Sequence, residues 1–198
     1  MEELVELFKK FPGIGPRQAK RFVSFLMHSN NSYRQDLITG INNINNRVIT
    51  CTLCNRKFID FRNSDKCNVC AKKREDKNLL ILAYDNDIEI FEKTLIYGGQ
   101  YFVLGKYIPL FSEKAHEYID FDKLYKRIED LKSKGLEEII LALNATSDGD
   151  YTVKVLKENI SKKFPEIKVT LLARGISNGA EIEYADQDTL REALRFRR

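Results

Sequence analysis

The sequence predicts an α/β fold preceded by two smaller modules, one all-helical and one containing four cysteines. Two observations support this prediction. From residue 79 onward, short apolar runs such as Leu79–Ala83 and Ile139–Leu143 alternate with amphipathic segments, which is typical of a mostly parallel sheet with helices on both faces. Before residue 79 the chain shows short amphipathic segments and then cysteines among turn-forming and basic residues. The length of 198 residues suits one domain or two small ones.

The amino-terminal part is predicted to form three short helices. Apolar residues at helical spacing indicate a helix over residues 2–11. The sequence Pro-Gly-Ile-Gly-Pro at residues 12–16 interrupts it. Pro16 suits the first turn of a second helix that runs from Arg17 to about His28, and a third helix is expected around Tyr33–Ile44.

The carboxy-terminal part is predicted to alternate strands with helices. The predicted strands are Leu79–Tyr84, Tyr101–Leu104, Glu137–Leu143 and Lys168–Ala173. The predicted helices are Asp87–Thr94, Asp122–Ser133, Tyr151–Lys163 and Asp186–Arg195. No apolar run approaches the roughly 18 residues that a membrane span needs, so we expect no membrane association.

The cysteines form two C-x2-C pairs, Cys51 with Cys54 and Cys67 with Cys70, separated by twelve residues. Two such turns can each offer two thiolates to one tetrahedral Zn²⁺. Disulfides are disfavoured because the first residues lack the basic start and apolar core of a signal peptide. A redox motif is disfavoured because those occur singly near a βαβ unit. The spacing therefore predicts one zinc ion per chain, with a structural role because four thiolates close the coordination sphere.

Charge is distributed unevenly along the chain. Residues 1–78 carry fifteen Lys and Arg against eight Asp and Glu, whereas residues 79–198 carry eighteen against twenty-one. This asymmetry favours an amino-terminal part that binds a polyanion, although a scatter of solvated charges is an equal alternative. Basic residues also surround the cysteines, where they either contact phosphate or offset the charge of a zinc-thiolate centre; they are Arg56, Lys57, Arg62, Lys66, Lys72, Lys73 and Arg74.

The segment before Arg17 has the features of a phosphate-binding hairpin. Gly13 and Gly15 permit a tight turn and a close approach of phosphate to the backbone. The amides at the start of the next helix make an anion site, which Arg17, Lys20 and Arg21 would extend because they follow at helical spacing. The segment resembles a helix-hairpin-helix motif, an element that binds DNA without reading its sequence. The alternative is an ordinary helical turn with a solvated cationic face.

Over nearly its whole length the chain resembles the RecR recombination-mediator family. The carboxy-terminal part supplies the further agreement: Tyr101–Gly105 is similar to the family's Y-H-V-L-G strand, and Asn144–Asp150 to its N-x-T-x-E-G-E loop. Ala173–Ile176, Gly179 and Glu183–Asp186 match its A-R-G-L, G and E-Y-A-D signature.

The resemblance implies a division into four segments and a function. The segments are a helix-hairpin-helix module over 1–46, a four-cysteine zinc finger over 47–77, a Toprim domain over 78–174 and a Walker-B-like, helical segment over 175–198. It further implies a cytoplasmic, ring-shaped tetramer through which single- or double-stranded DNA passes. RecO-type and RecF-type proteins are its implied partners, and together they load recombinase during the repair of damaged DNA.

The Toprim segment lacks the carboxylates that an active Toprim enzyme uses to hold Mg²⁺. Ala83 stands where such enzymes have Glu, and Asn144 and Thr146 stand at the positions of a D-x-D motif. We therefore expect a protein that is not an enzyme. The rival hypothesis is a Toprim-type nuclease or primase-like enzyme with an unusual metal site; its ligands would be Asp85, Asp87, Asp148 and Asp150.

Overall fold

The computed structural model describes residues 2–59, 64–173, 175–176, 179–195 and 197. The chain forms two compact units, Met1–Val48 and Ile49–Arg198. Within the described residues, no helix is long and apolar enough to cross a membrane. Arg62 and Arg174, which the sequence analysis singled out, lie outside these residues.

The first unit consists of three helices: α1 over Glu2–Lys9, α2 over Pro16–His28 and α3 over Asn31–Arg47. Pro16 occupies the first turn of α2, where its missing N–H costs no helical hydrogen bond. The side-chain oxygen of Asn30 accepts the N–H of Tyr33 at 2.8 Å and so caps α3. The helices α1 and α2 pack together, and the rings of Phe8 and Phe22 lie 5.6 Å apart between centroids.

The second unit contains a four-stranded parallel sheet in the order β4-β3-β5-β6. Its strands are β3 over Asn78–Leu82, β4 over Gln100–Val103, β5 over Glu138–Ala142 and β6 over Lys168–Leu171. Two short strands, β1 over Val48–Thr50 and β2 over Lys57–Ile59, pair with each other ahead of this sheet.

Four α-helices belong to the described part of the second unit: α4 over Asp85–Thr94, α5 over Phe121–Lys132, α6 over Ser147–Lys163 and α7 over Gln187–Arg195. Single 3-10 turns lie at Ala115–Glu117 and Ile182–Tyr184.

The two faces of the sheet bury two separate hydrophobic clusters, because successive residues of a strand point to opposite faces. On β3, Leu79 and Ile81 face one cluster, which also contains Leu124 and Ile128 of α5 and Leu156 of α6. Leu80 and Leu82 face the other cluster, which contains Ile88 of α4 together with the buried cysteines. The cysteine segment and α4 therefore cover this face of the sheet together.

The predicted α/β fold class is confirmed, and every predicted helix and strand is present within a few residues. The largest difference is the start of α6, which begins at Ser147 and not at Tyr151. The side chain of Thr146 explains it, because its Oγ1 accepts the N–H of Gly149 at 3.1 Å and caps the helix early. The strands β1 and β2 were not predicted. The division into four segments stays a prediction.

Candidate metal centre and nucleic-acid interface

The four cysteine sulfurs converge on one point. Each Sγ lies within 4.8 Å of the others, and they form the only group of three or more potential metal-ligating His, Cys, Asp or Glu residues in the described part of the chain. The Sγ atoms of Cys54 and Cys67 are 3.7 Å apart, which matches the roughly 3.8 Å edge of a tetrahedron with 2.3 Å metal–sulfur bonds. The donor set therefore fits a tetrahedral metal ion.

Backbone hydrogen bonds close both cysteine turns with the same pattern. The N–H of Asn55 donates to the carbonyl of Cys51 at 3.0 Å, and the N–H of Ala71 donates to the carbonyl of Cys67 at 3.0 Å. The N–H of Cys67 also donates to Cys51 Sγ at 3.4 Å, which joins the two turns. Each C-x2-C sequence thus closes a turn that presents both of its sulfurs on one side.

Hydrogen bonding among the thiols separates their pKa values. The hydrogen bonds from Cys54, Cys67 and Cys70 lower the pKa of the Cys51 thiol, because they stabilise its thiolate. The hydrogen bond to Cys51 in turn raises the pKa of Cys54. Cys51, Cys54 and Cys67 are buried, so four thiolates at this site require a bound cation to offset their charge.

A latch of polar contacts ties the segment after the second cysteine turn to the sheet. Arg74 donates from Nη1 to Glu92 at 2.8 Å and from Nε to the carbonyl of Gly99 at 2.6 Å. Its guanidinium also lies 4.6 Å from the ring centroid of Tyr101, whose hydroxyl donates to the same Glu92 carboxylate at 3.0 Å. Sequence reasoning missed this latch, because nothing in the sequence distinguishes Arg74 from its basic neighbours.

The latch sets the pKa of Glu92. Burial raises it, but the hydrogen bond from Tyr101 and the charge of Arg74 outweigh burial, and the pKa lies below the ordinary value for Glu. Lys72 also contacts this carboxylate, at 3.3 Å. Two of the basic residues around the cysteines are therefore engaged by Glu92.

The hairpin between α1 and α2 has the geometry that its glycines allow. Gly13 has φ +75°, a conformation that other residues adopt only with strain. Gly15 precedes α2 in an extended conformation, and its N–H donates to the side-chain oxygen of Gln18 at 3.3 Å. The N–H groups of Arg17 and Gln18 have no acceptor within the described residues. The first turn of α2 therefore offers two unpaired donors to an anion.

The cations predicted to contact DNA lie next to these donors. Arg17, Lys20 and Arg21 are exposed, and Arg17 and Arg21 lie one helical turn apart on the same face of α2. The opposite face buries Ala19 and Val23. The structure thus places the three cations on the solvent side of the helix that begins at the hairpin.

The carboxyl ends of β3 and β5 lead into the residues that were predicted to replace Toprim carboxylates, namely Ala83, Asn144 and Thr146. Ala83 is buried, Thr146 caps α6, and the N–H of Asn144 donates to the hydroxyl of Tyr107 at 3.1 Å. Burial raises the pKa of that hydroxyl, which keeps it in the protonated, neutral form. Ala83 therefore packs in the interior, whereas Asn144 and Thr146 are exposed and take part in local hydrogen bonds.

The nearby aspartates accept backbone hydrogen bonds. Asp85 Oδ1 accepts the N–H of Lys57 at 3.0 Å, and Asp87 Oδ2 accepts the N–H of Tyr84 at 2.9 Å. Asp148 Oδ1 accepts the N–H of Leu110 at 2.8 Å, which fixes the loop after β4 to the start of α6. Each of these three carboxylates thus stabilises the local backbone by a hydrogen bond.

Comparison with known proteins gives the family. No protein-family model matches the chain. The recombination protein RecR of Sphingopyxis alaskensis is 33% identical over 199 aligned residues, which cover 100% of this chain and 96% of that protein. The proteins of the same name from Chloroherpeton thalassium and Anaplasma phagocytophilum are 33% and 32% identical, again over 100% of this chain and 95% and 97% of theirs. Similarity of this degree over whole chains shows that this chain belongs to the RecR family of recombination proteins.

Proposed function

We propose that this protein is a DNA-binding mediator of recombinational repair that acts as a clamp and catalyses no reaction. In this proposal the hairpin and α2 contact the phosphates of single- or double-stranded DNA without reading its sequence. RecO-type and RecF-type proteins are the proposed partners, and the cytoplasm is the proposed location. Family membership supports the role in recombination, since the relatives are named recombination proteins.

The DNA-binding proposal depends on two N–H groups without an acceptor among the described residues, which lie beside three exposed cations. The donors belong to Arg17 and Gln18, and the cations are Arg17, Lys20 and Arg21. Backbone donors at a helix start bind phosphate, and arginines one turn apart add contacts to the same strand. The absence of a side chain at Gly13 and Gly15 leaves the hairpin backbone open to the ligand, and an added Cβ at either position would meet no atom within 4 Å.

A closed assembly is supported by the apolar surface of the first unit. Five apolar side chains of α3 are exposed, namely Tyr33, Leu37, Ile38, Ile41 and Ile44. Exposed apolar residues on one helix of a small unit are typical of an interface. A homo-oligomer, which we propose to be a tetrameric ring, would bury them.

Zinc is the proposed metal, with a structural role. Four sulfur ligands in a tetrahedral arrangement favour Zn²⁺ among the ions common in cells, and they leave no position open for water or substrate. The four cysteines would hold one ion per chain, and the ion would supply the fixed positive charge that the thiolates require.

The test is removal of the paired cations from α2. The double variant Arg17→Ala with Arg21→Ala should weaken binding of a DNA oligonucleotide by at least about tenfold and lower the salt dependence of the affinity, because fewer counterions are released. Fluorescence anisotropy at several salt concentrations measures both quantities.

The matched control is Lys154→Ala with Lys157→Ala, which removes two exposed positive charges from α6. It should leave affinity and salt slope close to those of the unchanged protein. Equal affinity and salt slope in the folded arginine double variant would refute the phosphate contacts.

A plasmid-nicking assay with Mg²⁺ tests the proposed lack of catalysis: nicking that disappears in Asp148→Asn would overturn it.

A further inference from the structure

The sheet of the second unit has an edge strand whose outer backbone groups need hydrogen-bond partners. β4 pairs with β3 on one side and lies at the end of the strand order. All four of its residues are buried, so water cannot satisfy the outer backbone groups. An uncovered edge of this kind is a template for pairing with another chain.

The first cysteine turn covers the carboxyl end of β4. The N–H of Leu104 donates to Leu82 of β3 at 2.9 Å, so the N–H and the carbonyl of Val103 point away from β3. The N–H of Val103 donates to the carbonyl of Cys54 at 2.8 Å. The side-chain amide of Asn55 donates to the carbonyl of Val103 at 2.8 Å. Both outer groups of Val103 are therefore paired as an additional strand would pair them.

The segment after the second cysteine turn covers the region where β4 begins. The N–H of Glu75 donates to the carbonyl of Gly98 at 3.1 Å, and Arg74 Nε donates to the carbonyl of Gly99 at 2.6 Å. Gly99 fits only without a side chain, since a Cβ would collide with the Tyr97 hydroxyl and the carbonyl of Asn78. The first cysteine turn and the segment after the second one thus flank the edge at its two ends.

Asn55 connects the metal ligands to this edge. It has φ +60°, a conformation that Asn tolerates better than most residues. Its N–H closes the first cysteine turn on Cys51, and its side chain reaches Val103. A second residue, Asp85, accepts the N–H of Lys57 in β2, the strand that follows this turn. Asn55 therefore contacts both the first cysteine turn and the edge strand.

We propose that the four-cysteine module is a metal-dependent cap on the edge of β4, and that Asn55 is the positioning residue that couples the metal site to the strand. With the metal bound, the turn is rigid and the edge is closed. Without it, the four sulfurs have no common partner, the turn opens, and Val103 loses both outer hydrogen bonds while the β3–β4 pairing remains.

Amide hydrogen exchange of the purified protein, before and after a chelator removes its metal, tests the cap. The N–H of Val103 should exchange at least about tenfold faster in the metal-free protein, because its acceptor is the carbonyl of Cys54. The amides of Ile139–Leu141 in the central strand β5 should change much less. Similar increases in exchange rate in β4 and β5 would overturn the proposal. Equal protection of Val103 with and without the metal would also overturn it, and so would a purified protein that contains no metal.

The variant Asn55→Asp tests the positioning residue. Asp tolerates the same backbone conformation but replaces the amide donor by an acceptor, which faces the carbonyl of Val103. The metal should then be released to a chromogenic chelator about tenfold faster, as with other residues that orient metal ligands. The metal content before the chelator is added should be unchanged.

The matched control is Asn159→Asp, whose side-chain amide donates to the carbonyl of Val155 at 2.8 Å on the exposed surface of α6. It loses a hydrogen bond of the same type away from the cysteines and should release metal at the original rate. Equal release rates for Asn55→Asp and the unchanged protein would overturn the role of Asn55. Because none of these measurements uses DNA, they stand apart from the test of DNA binding.

Discussion

The two units of this protein differ in how they become stable. The second unit buries both faces of its sheet, including fully buried residues such as Leu79, Ile139 and Leu156. In the first unit the buried apolar side chains are only Ala19 and Val23 among the described residues, while large apolar residues of all three helices are exposed. A sheet with two covered faces supplies its own core, whereas three short helices bury too little surface to do so. The contrast supports the proposed homo-oligomer, whose interface would cover the exposed apolar side chains of the first unit.

The largest expected effect comes from changing all four cysteines to Ser. The second unit should lose its metal and several kcal/mol of stability, because binding of a structural metal contributes directly to folding. Metal analysis and thermal unfolding by circular dichroism measure the two changes. The first unit carries none of the ligands, so its helices should keep their helical signal. A stable quadruple variant that still binds DNA would show that the cysteines are not a structural metal site.

A pair of isoleucine substitutions tests the contrast in burial. Ile139→Ala removes a fully buried side chain from the central strand and should lower the free energy of unfolding by about 2–5 kcal/mol. Ile41→Ala removes a side chain that is half exposed on α3, and the free energy of unfolding of the second unit should stay within about 0.5 kcal/mol. Denaturant unfolding measures both effects.

In assembly we expect the reverse: the exposed Ile41 should matter for the mass of the oligomer, and the buried Ile139 should not. Ile41→Ala is expected to lower the mass of the oligomer in light scattering at low protein concentration, while a folded fraction of Ile139→Ala should retain it. If both Ile41→Ala and Ile41→Asp leave the mass of the oligomer unchanged, the apolar face of α3 lies outside the interface.

The smallest of the expected losses of stability concerns the latch. Arg74→Met should cost about 2–3 kcal/mol, less than the 3–5 kcal/mol of a fully buried pair, because the Glu92 side chain keeps some solvent contact. The pKa of Glu92 is below its ordinary value of 4.5, so its contribution to stability is present above pH 4.5 and is lost as the pH falls through the lower, folded-state pKa.

The latch variant should therefore show a weaker dependence of stability on pH in the acid range than the unchanged protein. Urea unfolding between about pH 3 and pH 7 measures this dependence. Identical pH profiles for the two proteins would mean that Arg74 does not set the pKa of Glu92.

The sequence predicted most of the secondary structure because its signals are local. Apolar periodicity located the four strands of the sheet, and Pro16 with the two glycines located the start of α2. The prediction of α6 was four residues short, because the cap by Thr146 depends on a hydrogen bond that apolar periodicity does not reveal. The strands β1 and β2 were missed since each has only three residues.

For the candidate site, the sequence predicted the cysteine cluster but not the individual roles of the basic residues. The cysteine spacing predicted a metal-binding cluster, and the four sulfurs do lie together. The basic residues near the cysteines were predicted as a group with two alternative roles, whereas the structure engages Arg74 and Lys72 with Glu92. The direct phosphate contacts of Arg17 and Arg21 stay predictions.

The sequence by itself predicted the four cysteines as metal ligands, the hairpin before α2 and the lack of Toprim carboxylates, because each prediction depends on residue types at short spacing. Only the tertiary structure decided what the cysteine module covers. Asn55 and Val103 are 48 positions apart in the chain, and their hydrogen bond exists because the sheet brings β4 beside the first cysteine turn. Contacts between distant segments depend on the packing of the whole unit, which no local pattern specifies.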